Sequence, residues 1–203
     1  MAPPGGGVNS PFLPAHPPRS GETGPACPGY NLPIIMVLTR QEIEERLGTI
    51  PPLIEGLTDP AGQLQPNGVD ITLGEVAILS GAGQLGISNS QRRLPHTSLL
   101  VFDALGFLEL PPGLYMVTYN EAVHLPRNIM ALGFPRSSLV RCGATLLTAV
   151  WDAGYSGRSQ STLVVYNPAG IRLQKGARVL QLVFLRLGRE TEGYRGVFQG
   201  ENL

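Results

Sequence analysis

The chain has 203 residues, enough for one full domain or two small ones, with 26 glycines, 19 prolines and only 15% charged side chains. This composition favours short strands joined by many turns over long amphipathic helices. Fifteen basic and fifteen acidic side chains balance, so composition gives no support for a nucleic-acid partner.

The N-terminal stretch, residues 1–35, is rich in Pro and Gly and lacks the apolar pattern of a core. It is predicted to be an extension of the domain that follows. No apolar run in the sequence approaches the ~20 residues of a membrane span, and no secretory signal is evident. Cys27 and Cys142 stand alone, which suits a reducing compartment. We therefore expect a cytoplasmic protein with no membrane partner.

Residues 39–47 carry the strongest helix signal of the chain. Thr39 is suited to cap the first turn, and Glu42 stands at the reciprocal position of a capping box. Leu38 and Ile43 have the spacing of a hydrophobic staple, and Gly48 ends the segment. The sequence thus predicts one short N-terminal helix that packs against the domain.

From Pro66 onward, strand-like segments recur roughly every ten to fifteen residues between Gly, Pro, Asn or Ser turns. The predicted strands are 69–79, 97–102, 114–119, 129–134, 145–150, 161–166 and 178–187. This spacing is typical of a β-sandwich or jelly roll. The segment 178–187 is apolar on both faces and is predicted to be central. Residues 188–203 show little apolar pattern, which predicts a mobile tail.

Asp152 is the only carboxylate between Glu121 and Glu190, although nine Arg or Lys side chains occupy residues 122–189. It lies in AVWDAGYSG (149–157), where a strand breaks into a turn. Taken alone, such an Asp is typical of an Asx turn. The shortage of other acids and the nearby phenol of Tyr155 favour a second interpretation, in which Asp152 orients a water molecule beside a polyanion.

Three further motifs resemble binding sites. In PRSSLVRCG (135–143), Ser137 or Ser138 is predicted to cap a short helical turn between Arg136 and Arg141, either as a phosphate cradle or as an ordinary capped turn. Asp70 in NGVDITLG (67–74) either opens a strand or supports a metal-bound water. SGAGQLG (80–86) resembles a dinucleotide fingerprint, but no helical pattern follows it, so it is predicted to be a loop.

Five segments, taken in order, resemble the trimeric dUTPase and dCTP deaminase superfamily, closest to archaeal-like dUTPases. They are NGVDITLG, PRSSLVRCG, AVWDAGYSG, GARVLQLVF (176–184) and GYRGVFQGEN (193–202). The resemblance covers most of residues 36–203 and none of 1–35. It implies a jelly-roll-like β domain over 36–187, a homotrimer with active sites shared at subunit boundaries, and hydrolysis of dUTP to dUMP and pyrophosphate. It also implies Mg²⁺ bound through the triphosphate of dUTP.

The resemblance assigns a role to each matched position. Asp152 is expected to orient the water that attacks the α-phosphorus, and Tyr155 to pack on the deoxyribose. Asp70 is expected to support metal-bound water. The residues expected to hold the substrate are Arg136, Ser137, Ser138 and Arg141 at the triphosphate, Arg178 and Gln181 in the fourth motif, and Tyr194, Phe198 and Gln199 in a tail that closes over the nucleotide.

One strand distinguishes the deaminase branch of the superfamily from the dUTPase branch. Deaminases of this kind carry a glutamate there as general acid and base, whereas counting along this chain places Thr162 or Val164 at that position. Deamination is therefore the weaker interpretation, although the F-Q-G of the tail is closer to the deaminase form. The alternatives left open are a dCTP deaminase, a bifunctional deaminase and diphosphatase, or a non-catalytic jelly-roll assembly module.

Overall fold

A computed structural model of the chain describes residues 36–203; the predicted N-terminal extension and Cys27 lie outside the described residues. The strands are β1 Met36–Val37, β2 Ile54–Glu55, β3 Leu64–Gln65, β4 Gly68–Ser80, β5 His96–Leu99, β6 Phe107–Leu110, β7 Gly113–Tyr119, β8 Ala122–His124, β9 Ile129–Pro135, β10 Ala144–Leu147, β11 Ser156–Gly157, β12 Gln160–Val165, β13 Ile171–Gln174 and β14 Arg178–Arg186. The helices are α1 Arg40–Leu47, α2 Pro60–Gln63 and α3 Ser137–Arg141, with a 3₁₀ turn at Asn89–Gln91.

Helix α1 forms as predicted. Thr39 is its N-cap, and the reciprocal hydrogen bonds of a capping box with Glu42 are both present. Leu38 and Ile43 are fully buried, so the predicted staple packs into the core. Helix α3 lies where a short helical turn was predicted, whereas α2 was not predicted. Helix α2 has local signals of its own, because Asp59 caps it and Pro60 occupies the first turn.

The sheets are antiparallel and give the mainly β, jelly-roll-like fold that the strand spacing predicted. In the largest sheet the order is β1-β14-β4-β7-β12-β10, and β9 also pairs with β14, along residues 180–186. Strand β14 is therefore central, as predicted. Two smaller sheets, β11-β8-β2 and β13-β6, close the ends. The predicted strands 97–102 and 145–150 end early, at Leu99 and Leu147.

The core lies between the curled sheets and is built from apolar side chains of the long strands. Val69, Val117, Leu180, Leu182 and Phe184 are all completely or almost completely inaccessible to water. Burial of such side chains is the main favourable contribution to folding. Among residues 36–203, no helix has the length and apolar character needed to cross a membrane.

Candidate active site

Asp152 stands on a tight turn that is held on both sides. The N–H and C=O of Trp151 pair with the C=O and N–H of Ala131 on β9, at 3.1 and 2.9 Å. The turn closes where the Tyr155 N–H donates to the Asp152 carbonyl at 3.1 Å. Gly154 has a φ of +86°, a backbone conformation that would be strained for any residue with a side chain. An exposed carboxylate is thus carried on a fixed backbone.

The buried indole of Trp151 anchors this turn. It is only 4% exposed, and its Nε1–H donates to Ser159 Oγ at 2.8 Å. The ring packs over Gly133 of β9, where a Cβ would lie 2.7 Å from an indole carbon. A strand glycine therefore makes room for the indole, and the indole fixes the residue immediately before Asp152.

A cavity of about 500 Å³ opens beside the turn. Its walls come from the turn, from strands β7 and β12, and from the C-terminal segment 188–203. The side chains that line it include those of Asp152, Tyr155, Thr162, Tyr194, Phe198 and Glu201. This volume lies within the range of small-molecule sites, about 300–1,000 Å³.

The C-terminal segment, residues 188–203, lies directly against the Asp152 turn. The side chain of Gln199 spans it, because Nε2 donates to the Gly154 carbonyl and Oε1 accepts from the Ser156 N–H, both at 3.1 Å. The structure therefore brings Gln199 to the residues that follow Asp152. It also brings Tyr194 and Phe198 to the same cavity.

Tyr155 is buried, and the C-terminal segment holds its ring. The hydroxyl donates to Glu201 Oε1 at 2.8 Å, and the ring meets Tyr194 edge-on with centroids 5.7 Å apart. Burial raises the pKa of Tyr155, and the neighbouring Glu201 carboxylate raises it further. Burial also raises the pKa of Glu201, while the bond from Tyr155 lowers it. The phenol therefore stays protonated and acts as a hydrogen-bond donor.

Asp70, Arg136, Arg178 and Gln181 form a second cluster. Arg136 Nε lies 2.9 Å and Arg178 Nη1 3.6 Å from Oδ2 of Asp70, a carboxylate that is 3% exposed. Gln181 stands opposite Asp70 in the β14–β4 register. Burial raises the pKa of Asp70, and the two guanidinium groups offset part of the rise. Neither contact is aligned as a hydrogen bond, so Oδ2 has no hydrogen-bond partner among the described residues.

Helix α3 presents Ser137, Ser138 and Arg141 to solvent. The prediction that Ser137 or Ser138 caps this helix is wrong, because the capping residue is Arg136 and no side chain bonds to the free amides. Strand β9 extends to Pro135, and the Arg136 N–H is bonded to the Val179 carbonyl at 3.0 Å. The helix therefore begins at Ser137, and both hydroxyls lie inside its first turn.

The two clusters are not joined within one chain. Asp152 makes no ion pair with any of residues 36–203, whereas Arg136 and Arg178 contact Asp70. Neither the Asp70 cluster nor helix α3 contributes to the walls of the Asp152 cavity. The arginines predicted to surround the nucleotide thus stand apart from the carboxylate predicted to activate water.

A second cavity, of about 550 Å³, lies on the other side of β11, at Arg46, His124 and Ser156. His124 Nδ1 is 2.7 Å from Ser156 Oγ, but none of the predicted site residues lines this cavity. In residues 36–203 no three His, Cys, Asp or Glu side chains converge in a way that would hold a metal ion. The predicted site residues therefore lie at the Asp152 cavity, in the Asp70 cluster and on helix α3.

The model of the dCTP deaminase-like family matches residues 37–187, nearly the whole of the described β domain. The chain belongs to the dCTP deaminase-like family. This match confirms the superfamily resemblance that the five motifs predicted, and with it the fold class.

Several curated proteins of archaea are similar to this member of the dCTP deaminase-like family. A protein of Methanosarcina mazei named "Probable deoxyuridine 5'-triphosphate nucleotidohydrolase" is 50% identical over 167 residues, which are 82% of this chain and 98% of the relative. The deoxyuridine 5'-triphosphate nucleotidohydrolase of Methanocaldococcus jannaschii is 35% identical over 140 residues, covering 68% of this chain and 88% of the relative.

A solved structure shares the fold of the family. The crystal structure of 2'-deoxycytidine 5'-triphosphate deaminase from Agrobacterium tumefaciens superposes with a TM-score of 0.59 at 22% identity. The match covers 75% of this chain and 48% of that chain. At this identity the likeness concerns architecture alone.

Within the dCTP deaminase-like fold, β12 provides no carboxylate to the cavity. Thr162, one of the two positions considered for the deaminase glutamate, is half-buried and lines the cavity. Val164, the other, is 6% exposed and does not line it. The second carboxylate of the cavity is instead Glu201, which the sequence analysis missed. The one feature of the sequence that could have pointed to Glu201 is its place in the tail motif, two residues after Gln199.

Proposed function

We propose that the chain hydrolyses dUTP to dUMP and pyrophosphate, with Asp152 orienting the water that attacks the α-phosphorus. The observation that carries this proposal is the exposed Asp152 carboxylate on a fixed turn, in a cavity shared with Tyr155 and the C-terminal segment. The names of the Methanosarcina and Methanocaldococcus relatives support the same substrate. A carboxylate that holds a water in line with phosphorus acts by proximity and orientation.

Arginines and hydroxyls would hold the triphosphate. Arg136 and Arg141 flank the exposed hydroxyls of Ser137 and Ser138, and planar guanidinium groups match phosphate oxygens well. Arg178 and Gln181 would add contacts from β14. Positive charge fixed beside the phosphates stabilises the negative charge that moves onto the leaving pyrophosphate.

Mg²⁺ would be bound through the substrate rather than by a protein cage. Asp70 is one buried carboxylate with an Oδ2 that lacks an aligned donor, which fits a ligand that accepts from metal-bound water rather than a complete site. When bound, Mg²⁺ would neutralise phosphate charge. Asp70 would then orient water on the metal while it also fixes Arg136 and Arg178.

Tyr155 would pack on the deoxyribose, where a ribose 2′-hydroxyl would collide with the ring. The backbone of the hairpin around Asp152 would read uracil. The C-terminal tail, residues 188–203, would be mobile until Tyr194, Phe198 and Gln199 close over the nucleotide, as lids commonly do.

We propose a homotrimer in which neighbouring chains complete each active site. Its support is that Arg136 does not line the Asp152 cavity, so that a neighbouring subunit would bring its own Arg136 to the nucleotide. Leu99, Leu114 and Leu147 lie on the outer face of the large sheet and are each more than half exposed. An apolar face of this kind is typical of protein interfaces. The exposed free thiol of Cys142 suits a cytoplasmic location.

A second candidate is deamination of dCTP, alone or coupled to hydrolysis. The observation that favours it is Glu201, because it supplies the cavity with a carboxylate that β12 lacks. A third candidate is a non-catalytic assembly module, which would bind nucleotide without turning it over.

Pyrophosphate and ammonia release measured with dUTP, dCTP, dTTP and UTP separates these functions. The proposal predicts pyrophosphate from dUTP, little from the other three nucleotides, and no ammonia. Ammonia from dCTP would establish deamination and overturn the assignment to hydrolysis alone. Release of neither product from any nucleotide would leave the assembly module.

A further inference from the structure

The carboxylate of Glu201 has a partner that no motif assigns to it. Its Oε1 accepts from the Tyr155 hydroxyl at 2.8 Å, and its side chain faces the Asp152 cavity. The Glu201 backbone is seated separately, because its carbonyl accepts from the Arg158 N–H at 2.9 Å. The backbone and the carboxylate of Glu201 therefore have separate partners, and the partner of the carboxylate is the phenol.

Two further neighbours pack against the Tyr155 ring, which also lines the cavity. A Cβ on Gly157 would lie 2.6 Å from the hydroxyl oxygen, and Tyr194 presents its ring edge-on. Glu201 and Tyr194 both belong to the C-terminal segment. Ser159 lies near the hydroxyl from outside the segment, so the orientation of the phenol depends in part on whether the segment is seated, and Glu201 provides the hydrogen bond between the phenol and the segment.

We propose that Glu201 is a positioning residue for sugar selection, which it controls by fixing the Tyr155 ring whenever the C-terminal segment is seated. This inference rests on the proposed packing of Tyr155 against the deoxyribose. A ring held at its far end by an acceptor resists the tilt that would admit a 2′-hydroxyl. Rejection of ribonucleotides is then coupled to closure of the tail.

The test compares kcat/KM for dUTP and for UTP in E201A, E201Q and Y155F. The E201A variant is expected to lower the dUTP:UTP ratio about tenfold, mainly by admitting UTP, since a hydrogen bond to a charged group contributes roughly that factor. The amide oxygen of E201Q still accepts from Tyr155, so this variant is expected to restore most of the ratio. Y155F is expected to resemble E201A, and the double variant E201A/Y155F to add nothing further.

Glu192 offers a matched control, because it lies in the same segment, is 85% exposed and pairs with Arg195. E192A should leave the ratio unchanged. A wild-type ratio in E201A, an equal loss for both substrates, or an E201Q that behaves like E201A would each overturn the positioning role. D152N tests the proposed function separately, because full dUTP turnover by this variant would contradict the catalytic role of Asp152. An unchanged dUTP:UTP ratio in E201A would contradict only the positioning role of Glu201.

Discussion

Arg136 contacts Asp70 at 2.9 Å, and within the described chain it makes no contact with Asp152. Arg136, which is proposed to hold the triphosphate, therefore lies outside the cavity that Asp152 lines. This relationship is the structural basis for expecting active sites that are completed by a neighbouring chain.

Mixing two inactive variants tests this arrangement. D152N and R136A subunits, unfolded and refolded together in equal amounts, are expected to regain about a quarter of wild-type dUTP turnover. The reason is that each shared site draws one element from each of two subunits at random. Each variant refolded alone is the control. No recovery in a mixture that forms mixed trimers would place both groups in one subunit.

Gly154 allows a direct test of the seating of the C-terminal segment. A Cβ there would lie 2.6 Å from the Gly193 Cα, whereas Gly176 has a similar positive φ and nothing within 4 Å. Both G154A and G176A should lose about 1–2 kcal/mol of stability through backbone strain. Only G154A should also displace the segment and lower kcat/KM for dUTP, by on the order of tenfold.

Thermal unfolding and dUTP kinetics of the G154A and G176A variants separate strain from displacement. Equal kinetic losses in the two would show that the contact between Gly154 and Gly193 has no role in turnover. Full activity in G154A would show the same.

The seating of the C-terminal segment should depend on pH through Glu201. Burial raises the pKa of Glu201 above that of an ordinary glutamate, so the seated form binds the proton more tightly than the open form. Seating is then strongest below the ordinary pKa, ~4.3, and weakens as the pH rises through the raised value. The E201Q variant does not ionise and should show no such dependence.

Hydrogen exchange at the Gly200 and Arg158 amides measures this dependence, since both are bonded across the contact. After correction for intrinsic exchange, protection in the wild type should fall with rising pH while protection in E201Q stays level. A wild-type profile as flat as that of E201Q would contradict the proposed linkage.

Local signals made parts of this fold predictable. Helix α1 is specified by Thr39 and Glu42, three residues apart, and β14 by apolar residues on both of its faces. The two-residue strands β2 and β11 carry no such signal, because they become strands by pairing with β8. Their positions depend on the partner rather than on their own residues.

The candidate site was predictable only in part, for a related reason. Asp152 stands out in the sequence because acids are missing around it. Tyr155 and Glu201 are 46 positions apart in the chain, so the sequence around one does not predict its contact with the other. The start of α3 depends on the bond between Arg136 and Val179, which belongs to the sheet rather than to the helix.

The central claim is that Asp152 aims water at phosphorus, and replacement by asparagine tests it most directly. D152N keeps the shape of the turn, because the bonds that hold it involve backbone and Trp151. Pyrophosphate release from dUTP should fall by a factor on the order of 10² to 10⁴, as expected for loss of a group that positions or activates water, while binding of a non-hydrolysable dUTP analogue stays within a few fold. Turnover by D152N at the wild-type rate would contradict the account.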